Sequence, residues 1–227
     1  MLSAIIVAAG SSRRMGFDKL FALLDGRPTV VYSLAAFERS ASVSEIIIVT
    51  RADRAEEFAS LVRSEDLRKV RHIVAGGLHR QDSVRAGLER LSPDAKFIAV
   101  HDAARPLITP SQIERVFEAC RTHHAAALAE PVTDTLKRAS ADNSVCGSID
   151  RKGAFAMQTP QIFEREALLN AYAAVARDQL TITDEVSALE HIGHKVILVP
   201  NDSPNFKVTH PADLPLAEFI LRKRRST

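Results

Sequence analysis

Residues 3–19 of this 227-residue chain read SAIIVAAGSSRRMGFDK, and this stretch decides the fold. It begins with an apolar run at 3–9 and continues into a loop of small residues that carries Arg14 and Lys19. An apolar strand without alternation is typical of a parallel sheet whose two faces are covered by helices. A turn of small residues after such a strand lets backbone N–H groups approach an anion, and the cations add charge. We therefore expect a phosphate-binding loop here, the alternative being a surface turn with solvated charges.

The loop matches neither of two common nucleotide-binding patterns. Gly10 and Gly16 are separated by five residues and no Lys follows Gly16, so the pattern GxxxxGK[ST] fails. The pattern GxGxxG also fails, because Ser12 stands where its second glycine would be. The second failure counts strongly against a dinucleotide-binding oxidoreductase.

Apolar runs and helical patterns alternate along the rest of the chain. Further strand candidates lie at 45–50, 71–74, 97–101, 125–131 and 195–199, and helical patterns lie at about 30–39, 54–63, 83–91, 110–123, 164–176, 184–192 and 212–224. Thr109, Pro110 and Gln112 have the arrangement of a capped helix start, and Thr183 is expected to cap the helix at 184–192. The alternation predicts an α/β protein with a mostly parallel sheet.

The polar segment 133–153 interrupts this alternation. A structureless loop of that length is unusual in a compact domain, and short strand-like pieces lie at its two ends. We therefore expect a projecting β-arm. An arm that cannot bury its own faces is expected to lie on a partner subunit.

Composition excludes several functional classes. Hydrophobic residues make up 46% of the chain and charged residues 26%, which is ordinary for a globular protein. The net charge of +2 argues against a polycation, so no nucleic-acid partner is expected. Cys120 and Cys146 form no CxxC pair, and the histidines form no zinc-ligand set, which favours a reduced, cytoplasmic chain without a protein-held metal. No apolar run approaches the roughly 18 residues of a membrane span.

A second site candidate, HDAARP at 101–106, directly follows a predicted central strand. Open α/β sheets bind ligands at the carboxyl ends of such strands. Arg105 offers a planar fork to a phosphate, and Asp102 can hold a hydroxyl group or a metal-bound water. A local Asp–Arg ion pair that only shapes the turn explains the same residues.

Two weaker candidates lie further along the chain. The glycine turn at 75–84 places backbone amides and Ser83 where they can read a base edge, with Arg80 supporting the loop. The alternative is a plain connection with Asp82 as the N-cap of the next helix. Lys207 lies in a strand-like segment between two prolines, and taken alone it is best interpreted as an edge-strand lysine.

Seven ordered motifs closely resemble the 2-C-methyl-D-erythritol 4-phosphate cytidylyltransferases of the nucleotidyltransferase superfamily: AAGSSRRMGFDK, GGLHRQDSV, HDAARP, DTLKR, TPQ, TITDE and NFKVT. The resemblance implies a single domain over 1–227, with a Rossmann-like three-layer core and an arm insertion at about 133–153. It implies conversion of CTP and 2-C-methyl-D-erythritol 4-phosphate to 4-diphosphocytidyl-2-C-methyl-D-erythritol and pyrophosphate, a step of the non-mevalonate isoprenoid pathway. The implied cofactor is Mg²⁺, held mainly by the CTP phosphates and water.

The resemblance also implies residue roles. Arg14 and Lys19 would hold the triphosphate, and Lys207 would bridge the nucleotide and substrate phosphates, which makes these three the catalytic set. The nucleotide would contact Ala8, Ala9, Gly10, Ser11, Gly77, Arg80 and Ser83, with Gly77 and Ser83 selecting cytosine. The polyol phosphate would contact Asp102, Arg105 and Thr183, and also Thr135 and Arg151 from the arm of a partner subunit, so the active form would be a homodimer.

Two residues depart from the family pattern. Ser12 stands where a second glycine is often found, and Asp18 stands where proline commonly precedes the catalytic lysine. One rival hypothesis is a cytidylyltransferase for ribitol 5-phosphate or another polyol phosphate, which would share the nucleotide site. The other is a non-catalytic nucleotide sensor, and the presence of Arg14, Lys19 and Lys207 together argues against it.

Overall fold

The computed structural model describes residues 1–10 and 15–225. The strands in this part of the chain are β1 (Leu2–Val7), β2 (Leu23–Leu24), β3 (Arg27–Pro28), β4 (Val43–Thr50), β5 (Val70–Ala75), β6 (Phe97–Asp102), β7 (Ala125–Pro131), β8 (Leu136–Ala139), β9 (Val145–Ile149), β10 (Phe155–Glu164) and β11 (Ile197–Pro200). The helices are α1 (Thr29–Arg39), α2 (Ala55–Ser64), α3 (Arg80–Leu88), α4 (Pro110–His123), α5 (Arg165–Arg177), α6 (Glu185–His191) and α7 (Asp213–Arg225), and a 3-10 turn lies at Ala52–Arg54.

The main sheet has seven strands in the order β11-β7-β10-β6-β1-β4-β5. Its neighbours run parallel, except that β10 is antiparallel to both β6 and β7. Since β6, β1 and β4 are adjacent and parallel, their carboxyl ends meet at one edge of the sheet. The predicted α/β fold with a mostly parallel sheet is confirmed.

Helices cover both faces of the sheet. Alternate side chains of β1 enter two separate clusters: Ile6 packs with residues of α1, α2 and α4, and Ile5 packs with residues of α3, α5 and α6. Both isoleucines are fully buried. This alternation produces the three layers, with the sheet in the middle. A third, smaller cluster joins α7 to the hairpin of β2 and β3 through Leu24 and Leu221.

Strand β10 was not predicted from the sequence. Its residues read FAMQTPQIFE, and a proline inside a polar stretch argues against a central strand. The structure accommodates Pro160 where the pairing of β10 with β7 shifts register, between Met157 and Gln161. The ladder with β7 is interrupted at this point, so the proline removes no regular hydrogen bond there. The six predicted strands correspond to β1, β4, β5, β6, β7 and β11.

The helix starts agree with the predictions only in part. Thr109 caps α4 as expected, accepting a hydrogen bond from the backbone N–H of Gln112. The N-cap of α6 is Asp184, whose carboxylate accepts from the N–H of Ser187 at 3.1 Å, so the prediction that Thr183 is the cap is wrong. Asp is preferred over Thr at the N-cap, and Asp184 directly precedes Glu185, the first residue of α6.

The predicted arm contains β8 and β9, which pair antiparallel in a two-stranded sheet of their own. We call residues 133–153 the arm. Its strands leave apolar side chains in solvent, and Val145 is 67% exposed and Ile149 41% exposed. Within the described residues, no helix is both long enough and apolar enough to cross a bilayer.

Candidate active site

The carboxyl edge of the sheet carries a cavity of about 640 Å³, which we call the first cavity. Its lining includes Gly10 after β1, Gly77 after β5 and Asp102 at the end of β6. Lys19 and Lys207 line it as well. The first strand, the glycine turn and the C-terminal segment therefore meet at one place.

A second cavity of about 380 Å³ lies beside the first. Thr159 of β10 and Thr183 before α6 line it. Three charged residues line both cavities, namely Arg80, Asp102 and Lys207, and we call them the shared wall. Two ligands bound in the two cavities would touch the same three side chains.

Within the shared wall, one carboxylate accepts from two cations. Lys207 donates from Nζ to Oδ2 of Asp102 at 2.8 Å, and Arg80 donates from Nε to Oδ1 at 3.2 Å. Burial alone would raise the pKa of Asp102, but Arg80 and Lys207 hold that pKa well below its usual range. Asp102 is therefore ionised and both of its oxygens have a cationic partner.

These contacts exclude two simpler interpretations. The ion pairs of Asp102 are formed with residues far away in sequence, so the alternative of a local pair with Arg105 is wrong. Lys207 lies outside the assigned strands, in a segment where Val208 donates its N–H to the carbonyl of Ala104. The interpretation of Lys207 as an edge-strand lysine is therefore wrong too.

The glycine turn approaches its own helix too closely for any side chain. A Cβ at Gly77 would lie 2.3 Å from Cβ of Asp82, and one at Gly76 would lie 2.6 Å from Oγ of Ser83. The N–H of Gly77 donates to Oγ of Ser83 at 3.2 Å. Asp82 is the third residue of α3 and accepts from the N–H of His79, so it is not the N-cap. Only glycines fit this turn, which keeps its backbone open to the first cavity.

Lys19 ties the first loop to the C-terminal segment. Its Nζ donates to the carbonyl of Val208 at 2.7 Å, next to Lys207. The preceding Asp18 forms an ion pair with Arg54 at 2.8 Å and accepts from the N–H of Leu20. The carboxylate that departs from the family pattern therefore has its own cation.

Arg105 is mostly engaged by the protein itself. Its Nη1 donates to the carbonyl of Asn205 at 2.8 Å, and its Nη2 donates to the carbonyl of Met157 at 3.2 Å. Its Nε is buried without a hydrogen-bond partner. Arg105 thus braces the segment of Lys207 against β10 and lines the second cavity.

His101 lies beneath the shared wall, fully buried at the end of β6. Its Nδ1 is 3.1 Å from Oγ1 of Thr159, and its ring lies against Phe37. Burial lowers the pKa of His101 to about 3, so the imidazole is neutral near pH 7. This residue supports the site and does not face either cavity.

Comparisons with known proteins show which family this chain is similar to. The family model of the 2-C-methyl-D-erythritol 4-phosphate cytidylyltransferases matches residues 2–223. The chain belongs to this family. Enzymes of that name from Caldanaerobacter subterraneus subsp. tengcongensis and Halalkalibacterium halodurans are 39% and 38% identical to it. The first match covers 98% of this chain and 99% of the relative, and the second covers 98% and 97%.

Solved structures of such proteins also match. The 4-diphosphocytidyl-2C-methyl-D-erythritol synthase of Anaerococcus prevotii superposes with a TM-score of 0.86 at 28% identity, covering 98% of this chain and 96% of that one. The 2-C-methyl-D-erythritol 4-phosphate cytidylyltransferase of Thermus thermophilus gives a TM-score of 0.79 at 30% identity, covering 96% and 98%. The fold of the cytidylyltransferase family therefore extends over nearly the whole chain.

Most residues that the cytidylyltransferase resemblance selected lie at the cavities. Those that line the first cavity are Ala8, Ala9, Gly10, Lys19, Gly77, Arg80, Ser83, Asp102 and Lys207. Those that line the second are Arg80, Asp102, Arg105, Thr183 and Lys207. Ser11 and Arg14, and the departure at Ser12, lie outside the described residues. Thr135 and Arg151 are exposed on the arm and line neither cavity of their own chain.

Sequence reasoning missed residues that support or line the second cavity. Gln158 and Thr159 line it from β10, and buried Glu185 bonds Arg80 from behind. The motifs TPQ and TITDE contained these residues or their neighbours, but an acid in the first turn of a helix is favourable without any partner and so gives no signal of its own. A carboxylate at the buried face of a helix was the signal that could have identified Glu185.

Proposed function

We propose that this chain transfers the cytidylyl group of CTP to 2-C-methyl-D-erythritol 4-phosphate and releases pyrophosphate. The observation that carries the proposal is the shared wall, because it belongs to two adjacent cavities of different size. A transferase that joins two phosphorylated substrates needs such a place, where the reacting phosphates meet beside fixed cations. CTP occupies the first cavity and the polyol phosphate occupies the second.

The reaction is an in-line displacement without a covalent enzyme intermediate. The phosphate oxygen of the polyol attacks the α-phosphorus of CTP, and the bond to pyrophosphate breaks. Lys207 reaches both phosphates from the shared wall, while Arg14 and Lys19 hold the triphosphate. These cations stabilise the negative charge that accumulates around the α-phosphorus, so catalysis consists mainly of positioning and charge stabilisation.

Asp102 keeps Lys207 in place before the phosphates arrive. The 2.8 Å contact directs Nζ of Lys207 to the boundary of the cavities, and Lys207 is still 39% exposed there. Asp102 and Thr183 bind hydroxyl groups of the polyol, because both line the second cavity. Gly77 and Ser83 read the cytosine edge through the backbone and hydroxyl group of the close-packed glycine turn.

Mg²⁺ accompanies CTP, held mainly by its phosphates and water, and when bound it neutralises phosphate charge. The donor set of the described residues fits this arrangement. Asp102 is the one carboxylate among the described residues lining the first cavity, and Arg80 and Lys207 already occupy its oxygens. Among the residues described, no group of three acidic, histidine or cysteine side chains is arranged to hold a metal ion.

The second cavity is completed by a partner subunit in a homodimer. Thr135 and Arg151 lie on the arm, whose Val145 and Ile149 expose apolar surface that a second chain would cover. The enzyme works in the cytoplasm, where Cys120 and Cys146, both free, remain reduced. Sedimentation at assay concentrations should give a dimer, and a fully active monomer would refute the shared pocket.

The first experiment is pyrophosphate release with CTP and Mg²⁺, comparing 2-C-methyl-D-erythritol 4-phosphate with ribitol 5-phosphate. Strong preference for the first substrate supports the proposed reaction. Preference for ribitol 5-phosphate would keep the nucleotide chemistry and reassign the second cavity. Inactivity with both, at CTP concentrations that saturate binding, would favour a non-catalytic nucleotide sensor.

A further inference from the structure

Glu185 is a fully buried carboxylate that points at the back of the shared wall. Its Oε1 accepts from Nη1 of Arg80 at 2.7 Å, and its Oε2 lies 3.0 Å from the same nitrogen. The hydroxyl group of Tyr172, on α5, donates to Oε1 at 3.0 Å. Arg80 is therefore held at both ends of its guanidinium, by Asp102 at Nε and by Glu185 at Nη1.

The backbone of Glu185 is held as firmly as its side chain. The N–H groups of Glu185 and Val186 both donate to Oε1 of Gln161 at 3.2 Å. The amide nitrogen of Gln161 donates in turn to Oδ2 of Asp184 at 2.8 Å. Gln161 lies on β10 and is 1% exposed, so the start of α6 is bonded to the central sheet.

A gain in stability alone does not explain why this ion pair is buried. An ionised carboxylate taken out of water loses several kcal/mol of hydration, and well-packed apolar residues often replace a buried ion pair at no loss of stability. What apolar residues cannot replace is the fixed direction of a guanidinium. Burial raises the pKa of Tyr172, and Glu185 raises it further, so the hydroxyl group keeps the proton that it donates.

We propose that Glu185 is a positioning residue, which with Tyr172 fixes Arg80 against Asp102 and so keeps Lys207 between the two cavities. The inference rests on the proposed function and extends it to side chains that face neither cavity. Charges alternate along the chain of contacts from Lys207 through Asp102 and Arg80 to Glu185. When the ammonium group of Lys207 turns toward a phosphate, Arg80 still neutralises the charge of Asp102 and keeps the Asp102 carboxylate in place.

The test is Glu185→Gln, which preserves shape and removes the charge. We expect kcat to fall about 100-fold, the effect of displacing a reacting group by about 1 Å, with the KM for CTP nearly unchanged. Tyr172→Phe should give a smaller decrease, about fivefold, because only one hydrogen bond to the carboxylate is lost. Glu185→Gln can also impair folding. Tyr172→Phe is therefore a second, less disruptive variant in which the decrease in kcat is measured.

Two controls separate positioning from stability. Tyr32→Phe removes another buried hydroxyl group, which is bonded to the carbonyl of Leu24 at 2.6 Å and lines neither cavity. This variant should lower the melting temperature without lowering kcat. The double variant Arg80→Met with Glu185→Gln should turn over no more slowly than the slower single variant, because both changes break the same contact. The proposal would be overturned if the two single losses of kcat added up in the double variant. It would also be overturned if Tyr32→Phe lowered kcat as much as Tyr172→Phe.

A crystal structure of the Glu185→Gln variant tests the positioning role without an activity assay. We expect Arg80 to leave the 3.2 Å contact with Asp102 and Nζ of Lys207 to shift. Unmoved side chains would overturn the inference whichever polyol phosphate the enzyme uses. If the wild type were inactive with both polyol phosphates, the proposed function would be refuted. The positions of Arg80 and Lys207 in the variant structure would still test whether Glu185 fixes them.

Discussion

The shared wall and the arm differ in how the chain holds their charged side chains. Asp102 is 11% exposed and Arg80 is 23% exposed, and each has partners on other elements of the same chain. Arg151 is exposed, and its guanidinium donates to the carbonyl of Thr133 on the arm itself. The charged groups of the shared wall are positioned by buried partners on other elements, whereas the hydrogen bond of Arg151 stays within the arm.

This difference suggests a division of labour. In the proposed reaction, the cations that act on the α-phosphorus need a fixed position, and the buried partners of the shared wall would supply it. In the proposed homodimer, arm residues would add contacts to a polyol phosphate that the second cavity already holds. Changes at the shared wall should therefore affect turnover, whereas changes on the arm should affect binding of one substrate.

The largest effect is expected for Lys207→Ala. Turnover should fall by about 10²–10³-fold, the usual consequence of removing one preorganised charge donor, while the Kd for CTP changes much less. Steady-state kinetics and calorimetric binding of CTP measure the two quantities. Lys69→Ala is the control, since Lys69 also donates a hydrogen bond from its Nζ, to the carbonyl of Ser40 rather than to a carboxylate, and lines neither cavity. Unchanged turnover in Lys207→Ala would remove this residue from the catalytic set.

Arg151→Ala tests the arm. The KM for the polyol phosphate should rise about 10–100-fold, because a hydrogen bond to a charged group contributes about 1.5–3 kcal/mol. The KM for CTP should stay nearly constant. Arg138→Ala, another exposed arginine of the arm, serves as the control. Equal losses for both substrates would mean that the arm does not complete the second cavity.

The stability of the wild type should fall with acid because of His101. Its folded-state pKa of about 3 lies below the ordinary value of 6.5, so the unfolded chain binds the extra proton. This contribution is complete above pH 6.5 and is lost progressively as the pH falls toward 3. Between pH 7 and 5 the free energy of unfolding should decrease by about 2 kcal/mol.

Denaturant unfolding at several pH values measures this decrease in the free energy of unfolding. His101→Asn should abolish the pH-dependent decrease, whether the variant is more or less stable than the wild type at pH 7. Asp102 does not contribute in that window. Its pKa is depressed, so its stabilisation is present above the ordinary aspartate pKa of about 3.9 and is lost only at lower pH. Equal pH slopes in wild type and His101→Asn would contradict a buried neutral imidazole under the shared wall.

The parallel part of the sheet could be predicted because its strands are locally apolar. Strand β10 could not be, since its place between β6 and β7 depends on pairing with residues far away in sequence. Pro160 looks like a strand breaker locally and becomes acceptable only where the register shifts. Its neighbours Gln158 and Thr159, which line the second cavity, were therefore missed.

The sequence indicated which residues belong to the candidate site but not which of them contact one another. Motifs indicated Asp102, Arg80 and Lys207 separately, yet no local pattern shows that one carboxylate joins the two cations. Glu185 was hidden for the same reason, because an acid in a first helical turn is favourable without any partner. Three-dimensional proximity, not residue type, distinguishes a solvated charge from one that fixes a guanidinium.

The smallest effect is expected for Asp18→Asn, beside Lys19. Arg54 holds this carboxylate in a half-buried pair, each side chain 24% exposed, and such pairs usually contribute less than about 1 kcal/mol. The KM for CTP should therefore change less than about fivefold. Glu57→Gln is the control, since it removes the other carboxylate that pairs with Arg54. If Asp18→Asn lowered the KM tenfold while Glu57→Gln did not, the Asp18 charge would be repelling the triphosphate despite its partner. The charge of Asp18 would then be one that its ion pair with Arg54 compensates incompletely.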